Sequence, residues 1–371
     1  MNISAATLAQ LRLAAQRILP TSTSPTPGPV DVVRWQTALQ GQDFPGVLFS
    51  IGLRAPGSTR TQVAAAFDSA AVVRSWPMRG TLHVTLAEDL GWLLALTGQR
   101  TAAGLASRHR ELDITATDVD QVRESALELL VSGPGRATRD ELFAAFERAG
   151  QRTASQRGTH LVFMLCLQGT LVQGPINPAG NGNTQFFVST DHWIRHPRTL
   201  ERGQALAELA LRYFRSHGPA TVKDFQWWTK LTMADIKCGM ALVADQLESL
   251  ECNGVRYWLA PETAELLSGT VPGARSVVLL PGFDEYLLGY TDRSAALAPG
   301  HAALIVPGKN GMFKATVVAG GRVAGTWRKA QSASERQRAG AVFAEPFTVL
   351  RPAQDRALDK AAAAYAQFLG H

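Results

Sequence analysis

Two glutamines separated by one glycine, Gln40-Gly41-Gln42, stand directly before Asp43. On a helix, positions i and i+2 point apart, so the pair could not act together there. In an extended stretch they share a side, and Gly41 lets the backbone leave the helical path. Each neutral amide offers an acceptor oxygen and two donor hydrogens, so two of them can hold one water from both sides. The alternative is a polar helix terminus facing solvent. Two further places carry chemistry. Asp284 and Glu285 are adjacent carboxylates within Leu279–Arg293. Such a pair can do acid/base work, or it can cap and brace a loop. His83 follows Arg79-Gly80-Thr81-Leu82. It is either a contact to substrate or phosphate or a half-buried ring satisfied by its neighbours.

The formal net charge is +6, and it is unevenly spread. Pro307 to Arg338 holds seven bases (Lys309, Lys314, Arg322, Arg328, Lys329, Arg336, Arg338) against one acid, Glu335. Arginine outnumbers lysine 30 to 7. Arginine suits two-pronged phosphate contact, and a basic stretch is either a nucleic-acid footprint or a solvated face. Pro307–Lys314 combines an Asn-Gly turn, two lysines and apolar residues. That composition predicts a hairpin tip laid into a DNA groove, or a surface hairpin with solvated lysines. Arg79, Lys309, Asn310, Lys314, Arg322 and Arg328 are the candidate DNA contacts.

Several function classes lack support. There is no GxxxxGK[ST] loop, no HExxH and no nucleophile elbow, so ATP, metal and other cofactors are not expected. Cys166, Cys238 and Cys252 have no metal-ligand spacing and read as small core residues of a reduced compartment. No apolar run reaches the ~18 residues of a membrane span, and no signal peptide is read at the N-terminus. A cytoplasmic, nucleoid-associated monomer is expected.

At 371 residues the chain calls for two or three units of roughly 100–150 residues each. Leu8, Leu11, Ala15 and Ile18 recur at helical spacing in Ser4–Leu19. Asp31 is expected to cap a helix through Leu39, and Thr61–Phe67 to be helical. Thr81–Leu86 alternates as a strand. Helices are expected at Val119–Leu130, at Thr138–Ala149 behind a Thr138/Glu141 capping box, and at Ser155–Leu167. A strand pair within Gly169–Val188 follows. The order recurs with Leu200–Ser216, Thr221–Thr229, Thr232–Leu247 and an Asn253-Gly254 hairpin. Gly-Pro stops at 133–134 and 218–219 mark the repeat, which reads as duplication of a winged-helix unit. A winged helix normally lays its third helix in the major groove, although such units also dock proteins. Ser276–Leu280, Ala302–Val306, Met312–Val318 and Val323–Trp327 are expected strands, and Asp355–Leu369 a closing helix. The fold class is thus α+β and helix-rich, with three tandem winged-helix units and a small C-terminal antiparallel β-domain. The divisions fall at residues 1–115, 116–195, 196–265 and 266–371.

Four segments together resemble the bacterial winged-helix DNA glycosylases of the AlkZ type. They are Gln40–Asp43, Trp76–His83, Leu280–Gly289 and Gly321–Trp327, and the resemblance runs over about residues 30–350. It implies three tandem winged helices in a C shape plus a β-domain. It also implies excision of alkylated purines, unhooking of interstrand crosslinks and, in some members, self-resistance to DNA-alkylating antibiotics. The family signature is Gln-x-Gln or Gln-x-Asp, which makes Gln40 and Gln42 the catalytic pair; Asp43, His83 and Asp284 are further candidates for support. The middle position is usually aliphatic, whereas here it is Gly41.

The implied chemistry suits the residues. An N7- or N3-alkylated purine is cationic and already a good leaving group, so a placed water matters more than a strong acid or base. The first lysine is Lys223. A Schiff-base lyase step is therefore not expected from the half that carries the glutamines, although Lys309 or Lys314 could approach in space. The expected activity is that of a monofunctional glycosylase on double-stranded DNA containing alkylated purines. The alternative is a non-catalytic winged-helix DNA-binding or regulatory protein.

Overall fold

The computed structural model describes residues 1–19, 26–180, 182–309, 311–332, 334–335 and 342–370, without the side chains of residues 180 and 309. In chain order the elements begin with α1 (Ala5–Ala15), α2 (Pro29–Gln36), β1 (Ala38–Gln40), α3 (Phe44–Arg54) and α4 (Arg60–Asp68). Next come β2 (Val72–Met78), β3 (Thr81–Leu86), α5 (Leu90–Gly104), α6 (Ala106–Glu111), α7 (Ala116–Ser132), α8 (Arg139–Arg148), α9 (Arg157–Leu167), β4 (Leu171–Asn177) and β5 (Thr184–Ser189). They continue with α10 (Thr190–Trp193), α11 (Arg202–His217), α12 (Val222–Thr229), α13 (Met233–Val243), β6 (Glu248–Cys252), β7 (Val255–Leu259), α14 (Pro261–Ala264), β8 (Val277–Leu280) and α15 (Glu285–Leu288). The last are α16 (Ala302–Ile305), β9 (Thr316–Ala319), β10 (Arg322–Lys329), β11 (Val342–Pro346) and α17 (Pro352–Leu369). The molecule is helix-rich with small antiparallel sheets.

The elements pack as two units. One holds Met1–Val63, Leu206–Trp228 and Thr232–His371; the other holds Ala64–Ala205 and Thr229–Leu231.

In the first unit, β11, β10, β9 and β8 form an antiparallel sheet in that order. Its apolar side chains, among them Val278, Leu280, Val318 and Val323, share a core with Leu13, Ile18 and Leu287. Trp327 of β10 meets Phe49 of α3 edge-on at 6.0 Å, and Tyr365 of α17 meets the same ring at 4.6 Å. A β-carbon at Gly52 would collide with the Phe368 ring, so this glycine allows α17 to close on α3. The β6–β7 hairpin turns at Asn253 and Gly254, with φ of 52° and 75°, a backbone that a two-residue Asn-Gly loop favours.

In the second unit, strands β3, β2, β4 and β5 lie side by side in that order. The helices behind them start on reciprocal caps. Thr138 accepts from the Glu141 N–H at 3.2 Å, while Glu141 Oε2 accepts from the Thr138 N–H at 2.7 Å. Thr115 and Asp118 repeat the device on α7. Val122, Ala126, Phe146, Leu161 and Leu165 close a core under α7, α8 and α9.

An extended residue recurs between paired helices. Ala137, between α7 and α8, bridges to Phe187 of β5; Ala220, between α11 and α12, bridges to Trp258 of β7. In chain order, β1 holds the same place between α2 and α3.

Several expectations need correction. The helix expected through Leu39 ends at Gln36, and Gln40 closes a short strand. Ala302–Val306 is not a strand but contains α16, because a short apolar run reads alike in both structures. Pro307–Lys309 forms a 3-10 turn interrupted at Gly308, with φ 69°, while Asn310 of the expected Asn-Gly turn lies outside the described residues. The hairpin there is β9–β10, which turns at Gly320 and Gly321 with φ of 60° and 87°. Cys166 and Cys252 are buried, but Cys238 is exposed.

Candidate active site

The glutamine segment is a strand-to-helix junction. Thr37 turns the chain out of α2 with φ 65°, a region that β-branched residues avoid. Three buried residues of β1 follow, ending at Gln40, which is 8% exposed. Gly41 is buried, Gln42 is exposed and Asp43 is half-buried. Asp43 occupies the N-cap of α3, and a β-carbon at Gly46 would collide with its carboxylate. The carboxylate thus lies at the positive end of the helix.

Both flanks of this junction are tied to one loop. The N–H of Gln40 donates to Glu285 Oε1 at 2.9 Å. Glu285 Oε2 accepts from Trp228 Nε1–H at 2.9 Å and lies 3.5 Å from His217 Nε2. Asp284, the preceding residue, holds α3. Arg54 donates from Nη1 to Oδ2 and from Nη2 to Oδ1, each at 2.9 Å, and Ser50 Oγ donates to Oδ2 at 2.7 Å. Asp284 also caps α15 by accepting from the Tyr286 N–H at 2.9 Å.

Local sequence aims these carboxylates inward. Phe283 takes a left-handed φ of 62°. Gly282 lies against the carbonyl of Phe313, where a β-carbon would come within 2.8 Å of the oxygen. The Pro281-Gly282-Phe283 turn therefore delivers two acids into the interior. Buried charges persist only when paired and fully hydrogen-bonded, and a network meets that demand. Arg54 also donates to Gln16 O at 3.0 Å and Gln16 Oε1 at 2.9 Å. Gln36 Nε2 donates to the same Gln16 carbonyl at 3.0 Å. Gln16 Nε2 reaches Tyr290 Oη at 3.0 Å, and Arg12 lies 3.6 Å over the Tyr290 ring. Burial pushes the Tyr290 phenol up, with Arg12 opposing. It stays a neutral donor, to His217 O at 2.8 Å.

The other candidates fall elsewhere. His83 lies on β3 in the second unit and is fully buried. Its Nε2 is 2.9 Å from Arg79 Nη2 and its Nδ1 is 2.8 Å from Thr81 O. Of the two readings, the ring is the one satisfied by its neighbours, and it is fully rather than half buried. Asp284 is likewise sealed, and its carboxylate is committed to Arg54 and Ser50, the arrangement of a loop brace. Lys314 and Arg322 are exposed and Arg79 is half-buried. Arg328 is held by Glu335 through two 2.9 Å bonds and stacks 4.5 Å over Phe343. Its charge is balanced within the chain. Asn310, Arg336, Arg338 and the Lys309 side chain lie outside the described residues.

Arg54, Gln16, Gln36, His217 and Trp228 carry no motif, and only their burial reveals them. Tyr365 belongs with them. Burial and then the Asp43 carboxylate push its phenol up, with Arg60 opposing. Among the described residues, no group of three or more His, Cys, Asp or Glu could hold a metal. No helix there is long and apolar enough to cross a membrane.

A family model described as DNA glycosylase AlkZ-like matches residues 33–368. The chain belongs to the AlkZ-like DNA glycosylase family. It is thus a DNA-repair hydrolase of the N-glycosidic bond. A curated relative from Streptomyces sahachiroi, an interstrand DNA cross-link repair glycosylase, is 28% identical over 311 residues, covering 81% of this chain and 82% of the relative. The solved structure of the Streptomyces sahachiroi DNA glycosylase AlkZ superposes with a TM-score of 0.80 at 26% identity, covering 100% of this chain and 98% of that one. The AlkZ-like match includes both glutamines and the Asp284–Glu285 loop.

Proposed function

We propose that this AlkZ-like chain releases cationic N7- and N3-alkylated purines, including bulky antibiotic adducts and interstrand crosslinks, from double-stranded DNA, using a water held by Gln40 and Gln42. The observation that carries this reading is the anchored junction. Gln40 ends β1 and Gln42 follows after Gly41, on a backbone fixed at Gln40 by a 2.9 Å bond to Glu285. The crosslink substrate is supported by the activity named for the Streptomyces sahachiroi relative.

The water oxygen bonds to C1′ as the C1′–N bond breaks. The departing purine takes the bonding electron pair, which cancels its positive charge, so no acid is required. The water gives up its proton to solvent, leaving an abasic site and a neutral base. The glutamine oxygens accept from the water and orient it. Asp43 adds negative potential beside the developing oxocarbenium ion. Neutral amides are poor at expelling an undamaged base, which confines cleavage to cationic lesions.

The three sets of paired helices and hairpin act as tandem winged helices on the duplex, as a monomer. Arg79, Lys314 and Arg322 contact phosphate. The test is release of N7-methylguanine from alkylated duplex, without metal or ATP, by wild type and by Gln40→Ala/Gln42→Ala. Release by wild type alone, with DNA binding kept by both, supports the reading. Equal release by both proteins removes the glutamines from the mechanism. If neither releases the base, a crosslinked duplex is the deciding substrate.

A further inference from the structure

We infer that Glu285 is the positioning residue of the reaction: its carboxylate sets the main chain of Gln40, and it must be a carboxylate to do so. The inference rests on the catalytic role proposed above for Gln40. Both oxygens of Glu285 meet donors, the Gln40 N–H on one and the Trp228 indole N–H on the other, each at 2.9 Å. Glu285 is 1% exposed and Trp228 is fully buried. Bulk water therefore does not reach either bond. Only an ionised carboxylate offers an acceptor at both ends, since an amide or a protonated acid presents a donor at one of them.

The far oxygen is fixed by a rigid wall. Trp228 packs 5.1 Å from Tyr213, and His217 stacks on Tyr213 at 4.9 Å with an interplanar angle of 11°. The position of Glu285 is thus set by aromatic rings, and that of Gln40 by Glu285. Gln40 ends the strand, and Gly41, next in line, is the residue least able to hold a conformation unaided. Asp284 secures the helix on the other side of the junction, and Glu285 acts on the strand side.

Glu285→Gln introduces a conflict. Its single acceptor cannot serve both N–H groups, and its NH2 faces a donor. The expected result is a fall of about 100-fold in the single-turnover rate of N7-methylguanine release, the scale for a misplaced catalytic group, with the Kd for duplex DNA unchanged. Trp228→Phe removes the indole donor at the far oxygen, and its rate is the reference for the double variants. Trp228→Phe/Glu285→Gln removes the competing donor, so the amide oxygen turns to Gln40 and the rate rises above that of Glu285→Gln alone. A loss caused by instability alone would deepen in the double variant.

Rates are compared with Gln40→Ala at a temperature where circular dichroism shows every variant folded. If Glu285→Gln does not fold, Trp228→Phe/Glu285→Gln is compared with Trp228→Phe/Glu285→Leu, which lacks any acceptor and is expected to be slower. A Trp228→Phe/Glu285→Gln variant slower than Glu285→Gln, or no faster than Trp228→Phe/Glu285→Leu, overturns the inference. A slow Gln40→Ala beside a full-rate Glu285→Gln also overturns it, and leaves the catalytic reading intact. Full-rate release by Gln40→Ala overturns both.

Discussion

Arg54 and Asp284 face each other through two 2.9 Å hydrogen bonds, and their side chains are 0% and 2% exposed. A buried pair of this kind is costly to break from one side, because the partner left behind keeps its charge without compensation. Arg54→Met is expected to lower stability by about 3–5 kcal/mol, read as a fall in urea midpoint. Arg54→Met/Asp284→Leu removes the stranded charge and recovers much of that loss. Base release is expected to stay low in the double variant, since α3 no longer has its polar tie to the loop. A double variant that regains full release would separate the pair from the active junction.

The α3–α17 contact gives a second expectation. Any β-carbon at Gly52 collides with the Phe368 ring, which lies 5.4 Å from Phe49. Gly52→Ala is expected to cost about 1–3 kcal/mol by overpacking. Phe368→Leu in the same chain gives the methyl room and restores part of it. Thermal melts of the single and double variants decide the matter, and additive losses would count against the contact.

Much of this architecture was legible in the residues. The Thr138/Glu141 capping box, the Asn253-Gly254 turn and the alternation in Thr81–Leu86 each act within a few positions, so local chemistry exposes them. The Gln40–Asp43 segment was legible as polar residues where the chain leaves a helix. What holds it was not, because Gln40 and Glu285 are 245 positions apart and no spacing rule connects them. Helix α3 has no counterpart among the expected elements, because proline and glycine weaken a helical pattern at Pro45, Gly46 and Gly52. Pro45 is in fact tolerated in the first turn, and the glycines serve close contacts. Ala302–Val306 was misread for want of length, and the burial of His83 could not be seen until β2 and β3 were paired.

The basic residues near β10 are expected to differ among themselves. Lys314→Ala and Arg322→Ala remove exposed charges. Each should weaken binding to any duplex and reduce the salt slope of log K by about 1. Arg328→Ala should change the slope little, because Glu335 already balances that guanidinium. Titrations at several salt concentrations separate the three. A large slope change for Arg328→Ala alone would reverse the assignment.

Acid is expected to weaken the second unit. His109 and His160 meet edge-on at 5.5 Å, and His109 Nε2 and His160 Nδ1 are buried with no hydrogen-bond partner among the described residues. Burial lowers the pKa of both, and His109 and Arg108 lower that of His160 further. The unfolded chain therefore binds protons more readily than the folded one. The contribution to stability is present above the unfolded value of about 6.5 and is lost as pH falls below it. Urea midpoints between pH 7.5 and 5 should fall for wild type and fall less for His109→Gln/His160→Gln. Parallel curves would exclude the pair as the cause.

The first unit draws on both ends of the chain, with Ala64–Ala205 set apart in the other. A ribosome therefore delivers Gln40 long before the residue that anchors it. Translation proceeds at roughly 5–20 residues per second, so the glutamine turn waits for many seconds without Glu285 while the intervening unit can already mature. An interrupted chain carries both glutamines and lacks their scaffold. The anchored junction proposed to hold the water therefore forms only once the chain has been made past Glu285, whatever else of the molecule has already folded.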